Sequence, residues 1–206
     1  MYLDVFDRNE FGTNCWLLAA EGSDDAVVVD PGFAPEQVME LLARAGKSPA
    51  AVLLTHAHVD HAFAAGEFAG DDVPVFVHPG DAIAFEDGPA WNPGFDNPLA
   101  PVKDLRTITD GESLELGGFS IRVRHTPGHT PGHCCFVTDA TILSGDLVFE
   151  GSIGRSDFPN SSPEDMRRSL RWFLTLDDAD EVLPGHGGPT TVGRERTSNP
   201  FLIGLA

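Results

Sequence analysis

The chain has 206 residues, enough for one domain, residues 1–206, whose core needs no covalent staple. It carries 32 acidic against 13 basic side chains, a formal charge of −19, with Lys47 and Lys103 its only lysines. Polyphosphate partners need a basic surface, so nucleic acid is not expected among its partners.

In chain order, strand-like apolar runs are expected at residues 2–6, 15–19, 26–30, 51–54, 73–77, 119–124, 134–138, 141–143 and 181–183. Between the third and fourth, Val38, Leu41 and Leu42 after Pro35 form a helix-period stripe that Gly46 stops. Ser162-Pro163-Glu164-Asp165 predicts a helix start, with Ser162 as cap, proline at the first position and acids at the positive end of the dipole; that helix runs on through Leu170, Phe173 and Leu174. Residues 87–98 are rich in turn formers yet carry Trp91 and Phe95, which either cover an apolar part of a substrate or anchor the loop to the protein's own surface. Cys15, Cys134 and Cys135 read as buried thiols of a reducing compartment. The first eight residues lack the basic and apolar segments of a secretory leader, and no stretch approaches a membrane span, so a cytoplasmic protein without membrane contact is expected.

Thr55-His56-Ala57-His58-Val59-Asp60-His61 places four candidate metal ligands directly after the apolar run that ends at Leu54. Imidazole nitrogen and carboxylate oxygen together suit zinc, iron or manganese. Three later apolar runs also end on a candidate ligand: one leads through Thr126-Pro127-Gly128 to His129, one through Ser144-Gly145 to Asp146, and one through Pro184-Gly185 to His186. In an open sheet, ligands gather beyond the carboxyl ends of strands, so these residues can converge. Five histidines and two aspartates fill two sites of three if Asp146 bridges both ions. Asp30, at another strand end, either hydrogen-bonds a ligand histidine or caps a turn. His78, His125 and His133 are kept out of the site: His78 suits a helix start before Pro79, and turns aim the other two elsewhere, with His133 the next choice as a ligand.

These motifs, with Pro184-Gly185-His186-Gly187, resemble those of the metallo-β-lactamase superfamily in order and spacing. Residues 151–159 and the tail 193–201 are most similar to single-domain glyoxalase II-like hydrolases; the resemblance runs from about Asn14 to Phe201. It implies an α/β four-layer αββα sandwich, two mixed sheets flanked by helices. It also implies that His56, His58 and His129 hold one divalent ion and Asp60, His61 and His186 the other, with Asp146 between; zinc comes first, iron or manganese second. The implied reaction is hydrolysis of S-2-hydroxyacyl thioesters such as S-lactoylglutathione. Longer glyoxalase II enzymes bind glutathione with an added C-terminal helical domain that has no counterpart here, so another small thiol can be the carrier.

A divalent metal lowers the pKa of bound water from ~16 toward ~7, which supplies a bridging hydroxide to attack a carbonyl, and Asp60 orients that hydroxide or takes its proton. Thiolate is a good leaving group, its thiol pKa being near ~8.5, and no motif supplies a general acid, which favours a thioester. Arg155 either grips a substrate carboxylate or pairs internally with Asp157. Asn160-Ser161-Ser162 stands where family members often have glycines, which leaves the substrate open in detail. The enzymatic alternative is a persulfide dioxygenase-like protein with one iron on His56, His129 and Asp146. β-Lactam hydrolysis and a non-catalytic metal-binding domain rank lower.

Overall fold

Apolar residues that alternate along the strands sort this interior into three layers, and the architecture follows from them. The structure, a computed structural model, describes residues 1–68, 73–86, 91 and 99–205. Its first sheet joins, in order, β1 (Tyr2–Phe6), β2 (Cys15–Ala19), β3 (Asp25–Val29), β4 (Ser48–Leu53), β5 (Val75–Val77) and β6 (Leu105–Thr107), antiparallel as far as β3 and parallel from there. The second is built from β7 (Ser113–Leu116), β8 (Phe119–His125), β9 (Cys134–Val137), β10 (Thr141–Gly145), β13 (Glu181–Pro184) and β14 (Thr190–Thr191), with β10 and β13 its parallel pair. A small hairpin, β11 (Val148–Phe149) with β12 (Ser152–Ile153), follows β10.

Successive side chains of a strand point to opposite faces, and the sheets use both faces. Trp16 and Leu18 of β2 and Val27 and Val29 of β3 pack against Ile121, Val123, Phe136 and Leu143 of the second sheet. Leu17, Ala26 and Val28 face outward onto α1 (Pro35–Arg44), through Val38 and Leu42. On the far side, Cys135, Ile142 and Val182 meet Met166, Leu170 and Phe173 of α5 (Pro163–Phe173). Helix, sheet, sheet and helix are thus four layers around two mixed sheets, the architecture expected. Each fully buried Leu, Val or Phe stabilises it by about 1.5–3 kcal/mol.

Local signals set the helix ends. Ser162 accepts a hydrogen bond from the Asp165 N–H at 3.2 Å, ahead of Pro163, as its residue type predicts. Short helices complete the chain: α2 (Val59–Ala62), α3 (Ala65–Phe68), α4 (Pro79–Ala82) and α6 (Val192–Ser198). β6 and β7 were not expected from the sequence, because they lie at sheet edges and bury only Leu114 fully, which leaves little alternation to read. Trp91 packs against the outer core of the first sheet, while Phe95 lies outside the described residues. The three cysteines are free and buried. No helix among the described residues is long and apolar enough to cross a membrane.

Candidate metal centre

β4 carries Val52 and Leu53 into full burial, and the chain leaves the sheet at Leu54 and Thr55. His56 and His58 follow, His58 in extended backbone at the start of α2; Asp60 and His61 lie in the single turn of that helix. On the other sheet, the parallel register Leu143↔Leu183 shifts to Gly145↔Pro184, and this irregularity sets Asp146 beside the Pro184-Gly185-His186 turn. Gly185 has no room for a side chain: a Cβ there would overlap Asp146 Oδ1 and approach His61 Cε1 at 2.7 Å. His129 comes in from the loop after β8.

The structure brings all seven candidate ligands together. His56, His58 and His129 form one group whose donor atoms lie within 4.8 Å of one another, and Asp60, His61 and His186 form a second. In the second group His61 Nε2 is 3.3 Å from His186 Nε2 and 3.5 Å from Asp60 Oδ2, and His186 Nε2 is 3.3 Å from that same oxygen. Donors around one tetrahedral ion at ~2.0–2.1 Å stand about 3.3 Å apart, so the spacing fits. His58 Nδ1 and His129 Nε2 of the first group are closer, at 2.8 Å. The Asp146 carboxylate lies between the groups, Oδ1 3.3 Å from His61 Nε2 and Oδ2 3.3 Å from His129 Nε2.

Two buried atoms here make no hydrogen bond among the described residues, His56 Nε2 and Asp146 Oδ1. Buried polar atoms are rarely left so, because the lost hydration costs free energy. Asp146 Oδ1 faces His61 Nε2, the His56 ring lies 4.1 Å from that of His61 and 4.8 Å from those of His58 and His129, and the donor set suits a divalent ion. Three ring nitrogens are engaged from outside. His61 Nδ1 meets Asp30 Oδ2 at 2.9 Å, His129 Nδ1 meets the Arg155 carbonyl at 2.7 Å, and His186 Nδ1 meets the Gly12 carbonyl at 3.2 Å, so each Nε2 is turned inward. Asp30 also belongs to a third close group with His56 and His61. Its oxygens, however, already accept from the Thr55 N–H and hydroxyl at 2.8 and 2.6 Å as well as meeting His61.

Electrostatics separate the two groups. Burial, reinforced by neighbouring imidazoles, pushes His56 well below the usual histidine range and His58 down to about 3, so both are neutral donors. Burial also opposes charge on His61, but Asp60, Asp146 and Asp30 outweigh it and lift its pKa to about 10. Asp60 is half-buried, which works against its charge, yet His61 and His186 hold its carboxyl well below the usual range. A field that favours a proton on His61 favours a cation at the same place.

The histidines set aside do other work. His78 caps α4, its Nδ1 accepting from the Gly80 N–H at 3.1 Å. His125 stacks on His78 at 3.9 Å and donates from Nε2 to the Pro131 carbonyl. His133 is not aimed away from the centre: it is fully buried beneath it, 5.5 Å from the His56 ring, where Nε2 accepts the Asp146 N–H at 3.0 Å and Nδ1 meets Thr126. Arg155 forms the internal pair, bidentate to Asp157 at 2.9 Å, and lies 4.4 Å over the Phe158 ring, which in turn sits 5.5 Å from His58.

Three supporting residues escape sequence reasoning. Thr13 approaches Asp60 Oδ2 at 3.2 Å, Asn14 ties down the His186 turn through the Pro184 and Gly187 carbonyls, and Asp81 links the two histidine loops. The only signal is a polar residue set against a strand or turn, which many surface positions share.

Residues 8–186 match the family model described as the metallo-beta-lactamase superfamily. The hydroxyacylglutathione hydrolase GloC of Haemophilus influenzae is 34% identical, over 98% of each chain. Among solved structures, BLEG-1, described as a B3 metallo-beta-lactamase, is 32% identical with a TM-score of 0.89, covering 98% of this chain and 100% of that one. TTHA1623, solved in a di-iron-bound form, is 37% identical with a TM-score of 0.83, with the same coverage. With a matched model over most of its length, these relatives and paired histidine and aspartate groups between two sheets, the chain belongs to the metallo-beta-lactamase superfamily.

Proposed function

We propose that the protein is a binuclear metallohydrolase that cleaves S-2-hydroxyacyl thioesters, with S-lactoylglutathione the reference substrate. The observation that carries this reading is the Asp146 carboxylate, set between two three-donor groups with Oδ1 free of hydrogen bonds. The likeness to a hydroxyacylglutathione hydrolase supports the choice of substrate.

In this reading His56, His58 and His129 would hold one ion and Asp60, His61 and His186 the other, with the Asp146 carboxylate available to both groups. Zinc is the first candidate, iron or manganese the second. Bound divalent ions lower the pKa of water toward ~7 and polarise a carbonyl. Asp60, partly exposed and kept ionised by His61 and His186, would orient the attacking water. Its aim is set by the Thr13 hydroxyl. Arg155, exposed at the rim beside Phe158, exchanges Asp157 for a carboxylate of the thiol carrier. Thiolate departure, with a thiol pKa near ~8.5, asks no general acid of the side chains.

Elemental analysis of protein purified without added metal, followed by thiol release from S-lactoylglutathione, tests the proposal. Two ions per chain and metal-dependent release are expected. One iron per chain, with oxygen uptake on a thiol persulfide and no thioester turnover, would replace it with the dioxygenase reading. Turnover of a β-lactam in preference to every thioester would overturn it in the other direction.

A further inference from the structure

Asp81 sits in α4, outside every ligand motif in the sequence, and is completely buried. Its Oδ2 accepts from the Ala57 N–H at 3.0 Å and the Thr130 hydroxyl at 2.7 Å, and its Oδ1 accepts from the Gly132 N–H at 2.5 Å. Ala57 stands between His56 and His58, and Thr130 follows His129. One carboxylate therefore grips the backbone of both loops that supply the three-histidine group. None of its hydrogen bonds reaches Asp60, His61 or His186, which are supported instead by Thr13, Asp30 and Gly12. Gly132 is shaped to this grip, since a Cβ there would stand 2.5 Å from Asp81 Oδ1. Burial raises the carboxyl to about 6 against the pull of its three donors, so at neutral pH it remains an ionised acceptor.

We propose that Asp81 is a positioning residue dedicated to the three-histidine half of the centre: by holding Ala57 and Thr130 together it sets the separation of His56 and His58 from His129, and with it the metal affinity of that half alone. The assignment rests on the metal-centre reading above. Outer-sphere partners of this kind commonly alter metal affinity by about 10–100-fold when removed. Asp81 differs from the familiar case in gripping the main chain of two loops rather than a ligand ring.

Cobalt(II) is the probe, titrated into metal-free protein and followed by visible absorption, with thermal melts of each metal-free form alongside. Asp81→Asn preserves volume, but its amide must point N–H at either the Ala57 or the Gly132 N–H, so one donor is lost in either orientation. Wild type is expected to take two equivalents. In Asp81→Asn one of them weakens about 10–100-fold and the other stays within about twofold. His186→Ala, which disables the second group, identifies the affected half: in that background Asp81→Asn weakens the single remaining equivalent. Unchanged affinities, or equal weakening of both equivalents as a general loss of packing would give, overturn the proposal. Wild type that takes up no cobalt removes the metal-centre reading and this assignment with it, and does so in an arm that contains no variant. If Asp81→Asn does not fold, Thr130→Val, which deletes one donor at nearly constant volume, decides: weakening of the same equivalent supports the proposal, and no change overturns it.

Discussion

His61 Nδ1 lies 2.9 Å from Asp30 Oδ2 in full burial, and this contact turns His61 Nε2 toward Asp60, His186 and Asp146. Asp30 reaches that position with a φ of 53°, the one non-glycine residue with positive φ among the described residues. Such backbone costs about 1–3 kcal/mol and is kept where surrounding contacts demand it. Asp30→Ala is expected to lower metal affinity about 10–100-fold. Competition with a calibrated chelator measures this, and an unaltered affinity would show that ring orientation at His61 is set by something else.

The Asp146 carboxylate lies against both donor groups, so under the proposed two-metal reading its loss weakens both sites. Asp146→Ala should reduce metal-dependent thioester turnover by about 10²–10³-fold, the scale on which an active-site electrostatic group acts, while far-ultraviolet circular dichroism stays close to wild type. Metal content should fall below two per chain. Full thioesterase activity in this variant would sink the two-metal mechanism.

Arg155 is exposed and already paired with Asp157, so its removal is expected to spare the fold. For a thioester whose thiol carries carboxylates, Arg155→Ala should raise KM about 3–10-fold with kcat nearly unchanged, the signature of lost uniform binding. A thioester without carboxylates is the control and should show no change. Equal effects on both substrates would remove Arg155 from carboxylate recognition.

His78 caps α4 only while its Nδ1 is free to accept, and it stacks on His125 with rings 9° from parallel. Burial, and then the nearness of His125, depress its pKa to about 4. A depressed histidine contributes stability that is present above its ordinary value near 6.5 and is lost as pH falls through about 4. Proton-detected NMR should place the His78 midpoint near 4, and His78→Asn, an uncharged cap, should lose less stability than wild type over the same interval. A midpoint above 6 would contradict a neutral His78 in this stack.

The candidate ligands were legible because their signals are local. His56, His58, Asp60 and His61 crowd six consecutive positions, and Asp146 and His186 each follow an apolar strand that pairs with the other's. The interior strands and the α5 start were legible for the same reason, since alternation and a Ser-Pro cap are properties of a few neighbouring residues. In sequence Asp30 suits either of two roles, and the fold resolves it through His61. Asp81, Thr13, Asn14 and His133 gave no comparable signal: their partners stand 24, 47, 170 and 13 residues away along the chain. A polar residue flanking a strand or lying in a turn looks alike in sequence whether it faces water or braces a ligand loop. Residue type and spacing therefore determined which groups can donate to a metal. Which nitrogen faces inward, which carboxylate supports which loop, and where one half of the centre ends and the other begins were decided only when two sheets packed and buried hydrogen bonds had to be satisfied across them.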